Sequence, residues 1–397
     1  MSGTSSRPPV RGEYPLGLFE IDGLLGSEEL EIARTVRGFV DRHVRPQLMQ
    51  WFESATLPKE IVRELGKLGL FGMHLHGYGC AGTSAVSYGL ACMELEAGDS
   101  GLRSLASVQG SLAMFAIHHW GSEEQKQQWL PRLAAGDAVG CFALTEADYG
   151  SNPVKMRTNA KRHGSDWVIN GTKMWITNGS LADIATIWAQ TEYGIRGFLV
   201  PTDTPGFTAN VIHRKLSLRA SVTSELVLED VRVPASAQLP GAHGLRGPLT
   251  CLDEARFGIL FGALGAARDS LETALEYADS RVVFDRRLSC FQLTQEKLAN
   301  MSIELGKGML LAIHLGRLKD EGALSPAQIS VGKLNNTREA LAIARECRTL
   351  LGANGITLEY SPLRHAINLE TVLTYEGTAE IQMLTIGRAL TGQNAFI

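Results

Sequence analysis

The chain has 397 residues, 44% of them hydrophobic and 20% charged, and a formal net charge of -4. That length and apolar content suffice for a large core shared among two or three structural units, and the mixed charge lacks the basic excess of nucleic-acid binding, so no DNA or RNA partner is expected. Six scattered cysteines (Cys80, Cys92, Cys141, Cys251, Cys290, Cys347) form no C-x-x-C pair and accompany no histidine cluster at zinc spacing, which reads as reduced thiols of a cytoplasmic protein with no metal site.

Residues 1–15 carry no apolar signal segment and are expected to form a flexible N-terminus. From 16 to 138 the pattern is helical. Ile32, Val36, Phe39, Val40 and Val44 share one helical face until Pro46 is expected to interrupt it, and further helices are predicted near 58–70, 84–97, 103–118 and 122–133. From 139 to 240 the signal turns to strands. Trp167-Val-Ile and 172–177 flank Asn170-Gly171, which predicts a hairpin turning there, and more strands are predicted over 184–190, 196–201 and 225–233. From 241 to 397 helices return, near 246–280, 290–319, 326–351, 362–373 and 378–390. The most apolar run, 257–267, stops at Arg268, short of the ~20 residues that span a bilayer, so no membrane insertion is expected. A helical, then β, then helical order predicts a mainly α fold with a β middle domain and argues against a doubly wound sheet, in which the two would alternate.

The run Gly77-Tyr-Gly-Cys-Ala-Gly82 matches G-x-G-x-x-G, yet a helix rather than a strand is predicted before it. A dinucleotide fingerprint needs that strand, so the run reads as a glycine-rich turn. Three other segments carry residues suited to chemistry. In Phe142-Ala-Leu-Thr-Glu-Ala-Asp-Tyr-Gly-Ser151 a strand opens into a polar turn that can bond a heteroaromatic ring or a phosphate, or can simply end a strand. Trp175-Ile-Thr-Asn178 offers an indole to cover a ring, or to pack in a core. In Tyr375-Glu-Gly-Thr378 a carboxylate precedes a helix, where it serves either the helix dipole or a ligand that Gly377 lets the backbone approach.

Together, and in this order, these segments resemble the acyl-CoA dehydrogenase family. Further matching pieces are Asp253-Glu-Ala-Arg256, Arg281-x-x-Phe284 with Gln292, and Gly352-Ala-Asn-Gly355. The resemblance covers nearly the whole chain. It implies an N-terminal helical domain, a β-barrel-like middle domain and a C-terminal four-helix bundle. It also implies FAD as cofactor, an acyl-CoA substrate, electron-transfer flavoprotein as electron acceptor, and a homotetramer. Glu376 is implied as the base that takes the substrate's α-proton, with Gly377 beside the thioester. The flavin is implied to lie against Phe142, Leu144, Thr145, Gly150, Ser151, Trp175, Ile176 and Thr177. Its pyrophosphate and adenosine are implied to reach Arg281, Phe284, Gln292, Thr349, Gly352 and Ala353 of a neighbouring subunit, with Thr378 and Phe396 completing the cofactor set. Ser151, Asp253 and Arg256 are implied near the CoA arm, the last two alternatively bracing the Glu376 loop.

Within the family, several segments look closer to the glutaryl-CoA dehydrogenases: 77–82, Asp99-Ser-Gly-Leu-Arg-Ser104, 216–220 and 390–396. Arg103 is the telling residue, since an arginine pairs with a distal carboxylate but gains nothing beside an alkyl tail. Ser104 and Glu96 are implied to accompany it. The expected reaction is oxidative decarboxylation of glutaryl-CoA. The alternatives are dehydrogenation of another short or carboxylated acyl-CoA, and a catalytically silent, flavin-poor binding protein. Two departures from the family pattern are Asp285 in place of a glycine and Ala353 in place of the second glycine of Gly-Gly-Asn-Gly. A carboxylate at 285 would repel a pyrophosphate, so Asp285 is expected to point away.

Overall fold

A computed structural model of the chain describes residues 15–396, so the expected flexible N-terminus lies, except for Pro15, outside the described residues. The first helix, α1 (Ser27–Phe39), continues through a π turn (Val40–Val44) into α2 (Arg45–Ser54). Pro46 therefore does not interrupt the helical path. It lies in the first turn of α2 directly after the π turn, whose wider winding lets the path continue past the missing N–H. After α3 (Glu60–Lys67) and a turn, a short antiparallel pair, β1 (His76–Gly77) and β2 (Cys80–Ala81), carries the glycine run between helices, the run itself forming the pair. Next come α4 (Ala85–Gly98), α5 (Ser100–Ser107), a second π turn (Val108–Met114), α6 (Phe115–Trp120) and α7 (Glu123–Ala134).

The middle of the chain forms a curled seven-stranded sheet. Its strands are β3 (Gly140–Ala143), β4 (Asn159–His163), β5 (Asp166–Thr177), β6 (Ile184–Thr191), β7 (Gly194–Pro201), β8 (Phe207–Val211) and β9 (Thr223–Pro234), in the order β3-β6-β4-β5-β9-β8 with β7 also paired to β6. The expected hairpin at Asn170-Gly171 is absent, because both residues lie inside the single strand β5, at an irregularity in its pairing with β9. Asn170 spends its side chain across the sheet, Oδ1 accepting from the Asp230 N–H at 2.8 Å and Nδ2 donating to Asp230 Oδ1 at 3.0 Å. Gly171 is needed for space, as a Cβ there would meet Thr158 Oγ1 at 2.5 Å. The turn lies earlier, between β4 and β5, at Gly164 with φ +64°.

The long α8 (Arg246–Ser280) leads to a small hairpin, β10 (Val282–Val283) and β11 (Arg286–Arg287), then α9 (Gln292–Asp320), α10 (Pro326–Leu350), α11 (Ser361–Thr374) and α12 (Ala379–Thr391). One apolar core unites the first and last helical stretches, and a second fills the sheet. The helical core is tight because α8 presents glycines to α4. A Cβ on Gly265 would lie 1.9 Å from the Met93 carbonyl oxygen, and one on Gly262 2.2 Å from Glu96 Oε2. Between the same helices Glu94 is buried and receives Arg268 at 2.6 Å and, from α1, Arg37 at 2.9 Å. Among the described residues no helix is long and apolar enough to cross a membrane, and no group of three or more His, Cys, Asp or Glu is placed to hold a metal ion.

Candidate active site

The loop between α11 and α12 holds Tyr375, Glu376 and Gly377. It leaves α11 with the Tyr375 N–H donating to the Thr371 carbonyl at 2.9 Å, and Thr378 caps α12 by accepting from the Ile381 N–H. Glu376 has φ +54° and Gly377 φ +96°. A left-handed glutamate costs on the order of 1–2 kcal/mol, so surrounding contacts must hold it. They come from three helices. Arg256 of α8 donates from Nε to the Glu376 carbonyl at 2.7 Å and from Nη1 to Asp253 at 2.8 Å, bracing the loop. Lys333 of α10 donates to the carbonyls of Tyr375 and, at 2.6 Å, Gly377. Gln382 of α12 donates to the carbonyls of Gly377 at 3.0 Å and Glu376 at 3.3 Å.

Glu376 Oε2 is shielded from solvent and has no hydrogen-bond partner among the described residues. Burial raises the Glu376 pKa above the usual carboxylate range, with Arg103, Lys333 and Arg256 opposing the rise. Burial likewise draws Lys333 down to about 7, against the pull of Glu376 and with help from Arg256 and Arg103. A shielded carboxylate with a raised pKa and a free lone pair is equipped to accept a proton.

Arg103 is fully buried on α5. Its Nε donates to Glu96 Oε2 at 2.6 Å, and its Nη2 donates to the Tyr375 hydroxyl, next in the chain to Glu376. Ser104 and Tyr375 share a hydrogen bond at 3.1 Å, and Ser100 donates to the other Glu96 oxygen at 2.8 Å. Arg103 Nη1 keeps no protein partner among the described residues. The structure thus gathers Glu376, Gly377, Arg103, Ser104, Glu96, Asp253 and Arg256 around one loop.

The two segments of the middle domain also meet. The Met174 N–H donates to the Thr145 carbonyl at 2.9 Å, and buried Lys173 donates to the Leu144 carbonyl at 2.9 Å and to Glu146 at 3.0 Å. Phe142, Leu144 and Ile176 turn their side chains into the cores, so these positions offer only main chain to a ligand. Trp175 is 57% exposed at φ +63°, Thr177 is half-buried, and Gly150 and Ser151 form an exposed bend. A third, separate group lies exposed at the far end of α8: Arg281, the hairpin tip with Phe284 at 90% exposure, Gln292 starting α9, and Thr349, Gly352 and Ala353 ending α10. Asp285 is exposed and follows Phe284 in the left-handed region, at φ +60° and +47° respectively, which is the two-residue turn where glycine is favoured. Phe396 is 42% exposed near the end of the chain.

Profiles of the acyl-CoA dehydrogenase N-terminal, middle and C-terminal domains match residues 26–137, 141–231 and 242–391. The chain belongs to the acyl-CoA dehydrogenase family. Among solved acyl-CoA dehydrogenases it is similar to a glutaryl-CoA dehydrogenase from Mycobacterium smegmatis in complex with FADH2, at 74% identity and TM-score 0.96 over 96% of this chain and 99% of that one. A second glutaryl-CoA dehydrogenase structure from Mycobacterium smegmatis is 66% identical with TM-score 0.95, covering 96% of this chain and 98% of that one. The human mitochondrial short-chain specific acyl-CoA dehydrogenase is 36% identical, over 96% of each chain.

Several residues of this acyl-CoA dehydrogenase site escape sequence reasoning. Lys333 lies in ordinary helical sequence and only packing aims it at the loop, whereas Gln382 folds back on the loop from the first turn of α12. Tyr375 sits inside the motif, but its hydroxyl's partners lie some 270 residues away in sequence, at separations of 272 and 271.

Proposed function

We propose that this acyl-CoA dehydrogenase oxidises and decarboxylates glutaryl-CoA to crotonyl-CoA and CO2, with FAD as cofactor, Glu376 as base and Arg103 holding the distal carboxylate. The observation that carries this reading is a fully buried guanidinium beside the Glu376 loop whose Nη1 has no partner among the described residues. A buried cation beside an alkyl tail costs free energy, whereas a carboxylate ligand repays it with charge-assisted hydrogen bonds.

The residues present suit FAD. Trp175 exposes its indole on β5, and the main chain of Leu144 and Thr145 is held beside it by Lys173 and the Met174 N–H. Residues 142–151 and 175–177 would take the ring. Arg281, Phe284, Gln292, Thr349, Gly352 and Ala353 would hold the pyrophosphate and adenosine across a subunit boundary, in a homotetramer that passes electrons to electron-transfer flavoprotein. When bound, FAD supplies the two-electron acceptor for the hydride that leaves the β-carbon. Glu376 removes the α-proton, which its raised pKa favours. Arg103 orients the distal carboxylate so that the bond from the γ-carbon to CO2 breaks with its electron pair delocalised toward the thioester. Glu376, now protonated, returns the proton to the γ-carbon.

A second reading has its own observation. The Arg103–Glu96 pair is internally neutral, which suits an uncharged short acyl group, as the name of the human short-chain relative suggests. Purified protein is expected to show a flavin spectrum that bleaches on anaerobic addition of glutaryl-CoA, with crotonyl-CoA and CO2 formed. Bleaching by butyryl-CoA but not by glutaryl-CoA would favour the second reading. Protein without flavin or turnover would be a binding protein. Glu376→Gln should slow bleaching at least about 100-fold; a wild-type rate would overturn the base assignment.

A further inference from the structure

The carbonyls of three successive residues, 375 to 377, are all taken by side chains from helices remote in sequence, and Lys333 takes the outer two. Lys333 is 1% exposed. A lysine is rarely buried this deeply unless its charge has a use, and neutral carbonyls alone repay little of its desolvation. Its position on α10 follows from the packing of α10 against α8, where Gly332 lets the helix approach Leu260 and Leu315. The same turn that delivers the glycine to that contact delivers the neighbouring ammonium to the loop.

We infer that Lys333 is a positioning residue for the base, its ammonium tying the carbonyls on either side of Glu376 and setting the field in which that carboxylate takes up and gives back a proton. The inference rests on the reading of Glu376 as base. The bond to 375 fixes the peptide plane that enters the left-handed residue 376 and the bond to 377 the plane that leaves Gly377, while Arg256 holds the carbonyl of 376 itself, so the backbone presenting the carboxylate cannot turn without breaking one of them. The charges facing Glu376 are Arg103 from α5, Arg256 from α8 and Lys333 from α10; Tyr375 and Cys92 of α4 are the neutral titratable groups, and Glu96 lies behind Arg103. Arg256 is matched by Asp253 and Arg103 by Glu96. Lys333 is the cation of the three whose hydrogen bonds go only to neutral carbonyls.

The test uses flavin-loaded protein and 3,3-dimethylglutaryl-CoA, whose quaternary β-carbon has no hydride to give. Exchange of its α-protons with D2O, followed by NMR across pH, isolates the base from the oxidation. In Lys333→Met the acid limb of the exchange profile should move to higher pH by about one unit or more. Lys333→Gln keeps a donor but no charge, and should share that shift with a smaller fall in plateau rate. Lys333→Arg should return the limb toward wild type. If Lys333→Met does not fold, the Gln and Arg variants alone decide. A limb that stays in place in Lys333→Gln while the rate falls equally at every pH would overturn the inference and leave a purely structural staple. Wild-type exchange that survives Glu376→Gln unchanged would instead overturn the base reading.

Discussion

Arg103 and Glu96 share one dry environment, so each is the other's compensation. Replacing Arg103 alone leaves a buried carboxylate unpaired and should cost roughly 3–5 kcal/mol of stability. The double variant Arg103→Met with Glu96→Gln removes both charges and should melt within a few degrees of wild type. In that background KM for glutaryl-CoA should rise at least about tenfold while turnover of butyryl-CoA persists; steady-state kinetics with both thioesters checks it. A glutaryl-CoA KM that does not move would dismiss the carboxylate role. At this scale Glu376 and Arg103 were legible because an acid and a base stood inside short motifs. The left-handed backbone of 376 and the contact of Lys333 were not, since they arise from helices that meet only in three dimensions.

The helices follow from apolar periodicity, and their expected ranges lie close to those formed. Periodicity does not register a π turn, which hides α2 and makes Pro46 look like a stop. Asn170-Gly171 misled for a related reason: the pair that favours a tight turn also suits a strand irregularity when a neighbouring strand takes up the asparagine amide. The α4–α8 contact has two measurable consequences. Gly265→Ala puts a methyl against the Met93 carbonyl and should destabilise by about 1–3 kcal/mol, read from urea unfolding. The second is pH dependence. Burial works to raise the Glu94 carboxyl, but Arg268 and Arg37 outweigh it and hold the pKa at about 2. A carboxyl depressed by folding contributes stability above its ordinary value near 4.5, and that contribution fades as pH falls from there toward 2. Melting temperatures measured from pH 5 down to 2.5 should therefore fall less steeply in a variant with Glu94→Gln and Arg268→Met than in wild type.

For the whole molecule, the order helical, β, helical was legible in the sequence. What no local pattern conveys is that residues from α4, α5, α8 and α10 converge on a loop near the end of the chain. The hairpin tip is the other molecular-scale feature. Phe284, Val282 and Leu293 stand 90%, 57% and 72% exposed, which suits a surface completed by another subunit. Phe284→Asp should lower the mass measured by light scattering and reduce bound flavin together; loss of neither would argue against a shared cofactor site.

Gly262 makes room for the Arg103–Glu96 pair. A methyl there would fall 2.2 Å from Glu96 Oε2 and 3.1 Å from Arg103 Nε, so the carboxylate would have to leave its place. An alanine at 262 would strip Arg103 of its built-in counter-ion and make the pocket more demanding of an anionic substrate. On the proposed glutaryl-CoA reading, a single missing carbon in the backbone of α8 is what allows Glu96 to stand as an internal rival to a substrate carboxylate at Arg103.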